Sequence, residues 1–206
     1  MVSDVVHITK TLLEAWRYIF NAYDTEAAYE DFLRTLRREQ TEPTEAMMNG
    51  LDFEERVYRA AEGKTIRKDA NWRTGALAIA DIIRGAQIQM TITRPIEVDG
   101  TTYLLKGVLD ALKAGIIYDV KFLNKKLSND NTDVAGKWLN CTQHPAYLYL
   151  VPEAREFQYL ASDGEDVYIE TYQRDQSPDI HEIIHDFLEY LKAEGLMDIF
   201  TERWQV

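Results

Sequence analysis

The 206 residues carry 46% apolar and 28% charged side chains, the balance of an ordinary soluble globular domain rather than of a disordered or fibrous chain. No apolar run approaches the length needed to cross a bilayer, and the N-terminal stretch mixes acids, His and Lys where a secretion signal needs an apolar centre, so a cytoplasmic protein without membrane contact is expected. Cys141 is the sole cysteine, which excludes an internal disulfide and any all-cysteine metal site; the net charge of −12 excludes extensive wrapping of nucleic acid and restricts any phosphate contact to a local patch.

The length suits one domain over residues 1–206, with an N-terminal helical segment, residues 1–42, packed on it. From about Ile8 to Arg38, Leu12, Leu13, Trp16, Ile19 and Phe20, then Tyr29, Phe32, Leu33 and Leu36, recur at helical spacing and predict two helices broken near Tyr23-Asp24-Thr25. Thr41 to Thr44, with Pro43, reads as a turn. Glu45 to Glu62 reads as a helix stopped by Gly63, and Arg73 to Arg84 as another, whose alanines and isoleucines suit close packing on a sheet. Gln87 to Glu97 then alternates, Asp99-Gly100 signals a hairpin, and Tyr103 to Leu112 and Ile116 to Phe122 continue as strands, which predicts an antiparallel meander. Lys125 to Asp133 is a polar loop, and a helix is expected from Val134 to Leu150, kinked or restarted at Pro145. Glu156 to Ala161 and Asp166 to Tyr172 predict a strand pair around Asp163-Gly164, and Pro178 to Glu194 a last amphipathic helix opened by Ser177-Pro178. Helices, meander, helix, strand pair and helix in that order predict an α+β fold with a central mixed β-sheet flanked by helices. Trp16 and Trp72 are expected in the core rather than as base-stacking platforms.

The meander interrupts its apolar pattern with acids. In Gly107-Val-Leu-Asp110 and Ile116-Ile-Tyr-Asp119-Val-Lys121, the period of two puts Asp119 and Lys121 on one face, and Asp110 on the neighbouring strand can approach them. Acids in such strands are costly unless paired or bound to a cation, and a hard divalent ion accepts such oxygens.

Gly-x-x-Asp followed by Asp-x-Lys resembles two successive motifs of the PD-(D/E)XK nucleases. Glu54, four residues after Gly50, resembles the upstream helical acid of the RecB-like and λ-exonuclease-like members, and Gln143-His-Pro-Ala-Tyr147 resembles the Gln-x-x-x-Tyr helix of the RecB-like branch. These motifs occur in family order between Gly50 and Leu150. The resemblance implies a restriction-endonuclease-like core and Mg²⁺ or Mn²⁺ held by Glu54, Asp110, Asp119 and the carbonyl of Val120. Lys121 would orient or deprotonate the attacking water and stabilise charge on phosphate, with Gln143 and Tyr147 supporting the site or positioning the strand. DNA is the implied partner, leaving 5′-phosphate and 3′-hydroxyl ends. An exonuclease of recombination, repair or phage type is favoured over an endonuclease, with a recombination or single-strand-annealing protein as a further partner. Lys125, Lys126 and Lys137 are candidates for backbone contacts. The pattern departs from the family in two ways: one cysteine cannot supply the iron–sulfur cluster of some RecB-like relatives, and Pro145 falls inside the Gln-x-x-x-Tyr segment. A noncatalytic DNA-binding or assembly protein on the same fold is a second reading.

A rival motif lies downstream. His181-Glu182-Ile-Ile-His185 has the His-Glu-x-x-His spacing of zinc metallopeptidases. Ile180, Ile183, Ile184, Phe187, Leu188 and Leu191 take the apolar stripe of that helix, which leaves Glu182 and His185 on its polar side and little chain beyond to build a cleft.

Overall fold

The computed structural model describes residues 5–205; residues 1–4 and 206, which the expected domain and N-terminal segment include, lie outside the described residues. Along the chain run β1 (His7–Thr9), α1 (Lys10–Ile19), α2 (Thr25–Leu36), α3 (Glu45–Ala61), α4 (Arg73–Ile83), β2 (Gln87–Val98), β3 (Thr101–Lys113), β4 (Ile116–Phe122), α5 (Gln143–Leu150), β5 (Glu156–Ser162), β6 (Val167–Gln173), α6 (Ile180–Ala193) and α7 (Met197–Trp204).

The strands form the expected mixed sheet, in the order β1-β3-β4-β5-β6 with β2 also on β3. The meander of β2, β3 and β4 is antiparallel, β4 and β5 run parallel, and β6 returns antiparallel. Long β3 is shared along one edge: β1 pairs in parallel with Leu104–Lys106, and β4 pairs only with Ala111–Lys113. Between them, on that edge, Gly107–Asp110 has no strand partner among the described residues.

Apolar clusters line the two faces. Phe53 and Val57 of α3 and Ile79 and Ile83 of α4 pack with Ala111, Val120 and Leu160. Leu12, Trp16, Phe32, Leu36, Phe187 and Phe200 pack with Leu105, Phe157 and Tyr159, so α1 and α2 share the core of α6 and α7. Adjacent Tyr159 and Leu160 fall in different clusters, as alternation requires. Each fully buried side chain of this size contributes about 1.5–3 kcal/mol.

The chain departs from the sequence expectations at four places. Ile8 belongs to a strand rather than a helix, and Thr9 ends that strand while capping α1 through a bond from Leu12 N–H to its Oγ1 (3.3 Å). The helix expected from Val134 is only α5, because positive φ at Asn131 (56°) and Gly136 (74°) keeps the preceding chain in turns. Asp179, not Ser177-Pro178, opens α6, its side chain accepting from His181 N–H (2.9 Å). Helix α7 was not foreseen; its Phe200 and Trp204 close the cluster beneath α2 and α6.

Candidate active site

The unpartnered stretch of β3 is where the acidic residues gather. Past Ala111 and Tyr118 the β3–β4 ladder ends, and Val120 N–H donates instead to Asp110 Oδ2 (2.8 Å). The carbonyl of Val108 accepts from the Tyr147 hydroxyl (2.8 Å). Opposite Asp110 the β2–β3 register skips one pair, and there Gln89 takes a left-handed φ of 51°. Leu109 and Ala111, two residues apart, fall in opposite clusters. Alternation therefore slips at Asp110, a local irregularity of the kind that re-aims side chains beside functional sites.

Asp119 is 2% exposed. Its Oδ1 accepts from Gln143 Nε2, while its Oδ2 lies 2.5 Å from Lys121 Nζ as an ion pair and makes no well-directed hydrogen bond. Burial raises the Asp110 pKa, Asp119 raises it further, and Lys121 and the Val120 N–H only partly oppose them. Burial also raises Glu54, against Lys121 and together with Asp119, which places Glu54 on α3 within electrostatic reach of both. Lys121 is lowered by burial, but Asp119, Asp110 and Glu54 outweigh that and hold it raised, as an ammonium. Three carboxylates and one cation from α3, β3 and β4 thus occupy one neighbourhood, with anionic charge in excess.

Helix α5 completes the site and explains the glycine of the Gly-x-x-Asp segment. A Cβ at Gly107 would lie 2.5 Å from Tyr147 Cε1 and 2.8 Å from Leu150 Cδ1. Only glycine allows α5 this close. Gln143 is the first residue of α5, so the helix starts just before Pro145 rather than being kinked by it, and Pro145 sits in the first turn, where its missing N–H costs nothing. Gly50 has nothing within 4 Å of a built Cβ, so no steric reason holds a glycine there.

Val120 buries its side chain among Phe53, Ile79 and Leu160, so only its backbone could reach an ion. Lys125 and Lys137 line one cavity of about 410 Å³ with Phe122, Asn124 and Asp133 at the end of β4, whereas Lys126 is directed to exposed Glu165 (3.3 Å). Trp16 lies in the core; Trp72 is half-buried against Phe122, their ring centroids 4.6 Å apart. Each motif histidine of α6 has its own carboxylate: His181 Nδ1 is 2.8 Å from Asp179, and His185 Nδ1 is 2.9 Å from Asp99 of the β2–β3 hairpin. Both lie half-exposed on the helix surface; with Glu97, Asp99, Glu182 and Asp186 they line an open surface pocket of about 400 Å³, and the His185–Asp99 contact ties the hairpin to α6.

Sequence reasoning missed three contributors. Tyr58, one turn beyond Glu54, presents a buried hydroxyl toward Asp110. Glu14 of α1 accepts from Thr142 N (2.6 Å) and Oγ1 (2.7 Å) at the start of α5. Lys10, Arg38 and Lys106, with His7, line a cavity of about 320 Å³ that also touches Val108 and Tyr147. Burial, then Lys106 and Arg38, lower the His7 pKa, so the cavity carries local positive potential within a chain of net charge −12. Its rim includes Thr11 in the first turn of α1, where N–H groups lack intrahelical acceptors. A visible signal existed only in part: Lys106 directly precedes the Gly-x-x-Asp glycine.

Among the described residues no three His, Cys, Asp or Glu side chains converge into a ready-made ion cage. The donor set nevertheless fits a hard divalent cation. Asp119 Oδ2 is buried beside Lys121 with no well-directed hydrogen bond, Asp110 and Glu54 are both raised first by burial and then further by Asp119, against Lys121, and Mg²⁺ is ordinarily held by one or two carboxylates with waters and phosphate oxygens.

No protein-family profile matches the chain, and no curated protein matches it. Among solved structures, that of SSO0001 is similar at 16% identity and a TM-score of 0.54, covering 92% of this chain and 79% of that one, which shows a shared fold. Two structures of the alkaline exonuclease LHK-Exo also align. One, in complex with dAMP, has 14% identity and a TM-score of 0.46 over 91% of this chain and 88% of that one. The other, from Laribacter hongkongensis, has 11% identity and a TM-score of 0.46 over 93% and 91%. Among the described residues no helix is long and apolar enough to cross a membrane.

Proposed function

We propose that the chain is a divalent-metal-dependent nuclease that hydrolyses phosphodiester bonds of DNA. The observation that carries this reading is the gathering of Glu54, Asp110, Asp119 and Lys121, from three separate elements, at the place where β3 and β4 part. Asp110, Asp119, Glu54 and the Val120 carbonyl would hold Mg²⁺ or Mn²⁺. When bound, such an ion supplies polarisation of a phosphoryl oxygen and a more acidic water. Lys121, held as an ammonium beside Asp119, orients the attacking water and stabilises charge developing on the phosphate. Gln143 fixes the rotamer of Asp119 through its amide, and Tyr147 holds the Val108 carbonyl so that β3 keeps its course past the site.

Two basic cavities flank this centre, one with Lys10, Arg38 and Lys106, the other with Lys125 and Lys137. They supply the local phosphate contacts that a net charge of −12 otherwise withholds. The motif resemblance favours an exonuclease of recombination, repair or phage type, acting in the cytoplasm with a recombination or annealing protein as partner.

The test is incubation of linear and covalently closed circular DNA with Mg²⁺ or Mn²⁺, using wild type, Asp119→Asn and Lys121→Ala. Linear DNA should be degraded and circles spared, with both variants slowed by at least about a hundredfold. Cutting of circles would make it an endonuclease. DNA binding with no hydrolysis by wild type would leave the noncatalytic reading in its place.

A further inference from the structure

Tyr58 follows Glu54 by four residues on α3, so the two side chains share a helix face. The residue is 8% exposed and its ring packs among Phe53, Val57 and Ala111, yet its hydroxyl is buried with no hydrogen-bond partner. A buried O–H left unpaired costs about 1–3 kcal/mol, and a phenylalanine would fill the same space without that cost. Core packing alone therefore does not account for the oxygen.

Its surroundings say what it could serve. Burial first, then Asp110, Glu54 and Asp119, push the phenol pKa far above neutrality, so the group stays a donor. Asp110 Oδ2 already accepts from Val120 N–H, and the Tyr58 hydroxyl is near enough to that carboxylate for a weak side-chain contact to raise the phenol further, yet it meets no partner in good hydrogen-bond geometry. A phosphodiester entering a cluster of three carboxylates needs every donor available, and the cation paired within it is Lys121, with Lys10 acting on Glu54 from farther off.

We propose that the Tyr58 hydroxyl is a catalytic hydrogen-bond donor to a non-bridging oxygen of the phosphodiester at the Glu54, Asp110 and Asp119 centre, an inference that rests on the nuclease reading. Its test is Tyr58→Phe, measured three ways. The melting temperature of the metal-free variant should equal or exceed that of wild type, because an unsatisfied oxygen has been removed. The kcat on linear DNA with Mg²⁺ should fall about a hundredfold or somewhat less. With sulfur replacing one non-bridging oxygen at the cleaved linkage, wild type should be slowed more than the variant for one of the two diastereomers, since the variant has already lost the contact.

A clear drop in melting temperature would make the hydroxyl structural and overturn the proposal, as would an unchanged kcat or equal sulfur effects in the two proteins. An active wild type with an unaltered variant overturns this inference alone. A wild type inactive with both metals overturns the nuclease reading, and this inference with it.

Discussion

At Asp110 the demands of folding and of chemistry oppose each other. Burial and then Asp119 push its carboxyl up to about 8, with Lys121 and the Val120 N–H pulling the other way. An acid whose folded-state pKa exceeds its unfolded value of about 4 binds its proton more tightly in the folded chain, so the metal-free fold loses stability as pH rises between those values. Asp110→Asn removes the titration and keeps an oxygen for Val120 N–H. Without metal, the variant should therefore melt higher than wild type at pH 8, by roughly 1–2 kcal/mol or about 2–8 °C. The gap should close toward pH 4–5, and Mg²⁺ should raise wild type more than the variant. Thermal melts across pH, with and without Mg²⁺, decide it; a variant less stable than wild type at pH 8 would mean that the carboxylate is well compensated. Asp119 and Lys121 were legible because two-residue alternation needs only local sequence, and Asp110 because its glycine and turn lie close by. Tyr58 was illegible: an aromatic residue on an amphipathic helix looks the same whether its hydroxyl is idle or aimed at an acid. Gly50 and Gly107 looked alike in sequence too, yet only Gly107 is required, and the contact requiring it comes from Tyr147 on another element.

The same non-locality sets the limits of the elements. Nothing near Val134 or Thr142 announces where α5 starts, because its N-terminus is held by Glu14, 128 residues away in the chain. Strand β1 was hidden for a similar reason: three residues become a strand only by pairing with Leu104–Lys106. The long alternating or amphipathic segments, β2 to β4 and α3, were read correctly because their own periodicity encodes the face they bury. Glu14 matters beyond anchoring, since the residue after Thr142 is Gln143, which holds Asp119. Glu14→Ala would leave the buried N–H and hydroxyl of Thr142 without their acceptor, at a cost of about 1–3 kcal/mol in denaturant unfolding. Activity should fall mainly in kcat, because the displaced element carries Gln143 rather than a basic cavity. Glu14→Gln retains an acceptor oxygen and should restore most of both. An alanine variant as stable and active as wild type would show that α5 is placed by packing alone.

Across the whole molecule, the negative balance and the polyanionic substrate of the proposed nuclease are reconciled by where the cations sit. Among the described residues, most of the side-chain ion pairs are exposed Lys or Arg groups matched to nearby acids, such as Arg34 with Asp31, Lys126 with Glu165 and Lys192 with Glu189. Lys10, Arg38 and Lys106 instead converge on the cavity between β1, α1 and β3, beside the carbonyl that Tyr147 holds. Pairing of β1 with β3 sets Thr9 against Lys106, so the same three-residue strand that starts the sheet assembles this patch. Each phosphate neutralised at such a patch releases condensed counterions, which makes its contribution readable from salt dependence. With Ca²⁺ in place of Mg²⁺ to permit binding without cleavage, Lys106→Ala should weaken DNA binding and lower the slope of log affinity against log salt by about 0.9. Lys126→Ala should leave the slope unchanged, because its ammonium is already matched to Glu165 at the surface. A wild-type slope in Lys106→Ala, or a reduced one in Lys126→Ala, would move the path of the DNA backbone away from the β1–β3 cavity and toward the loop after β4.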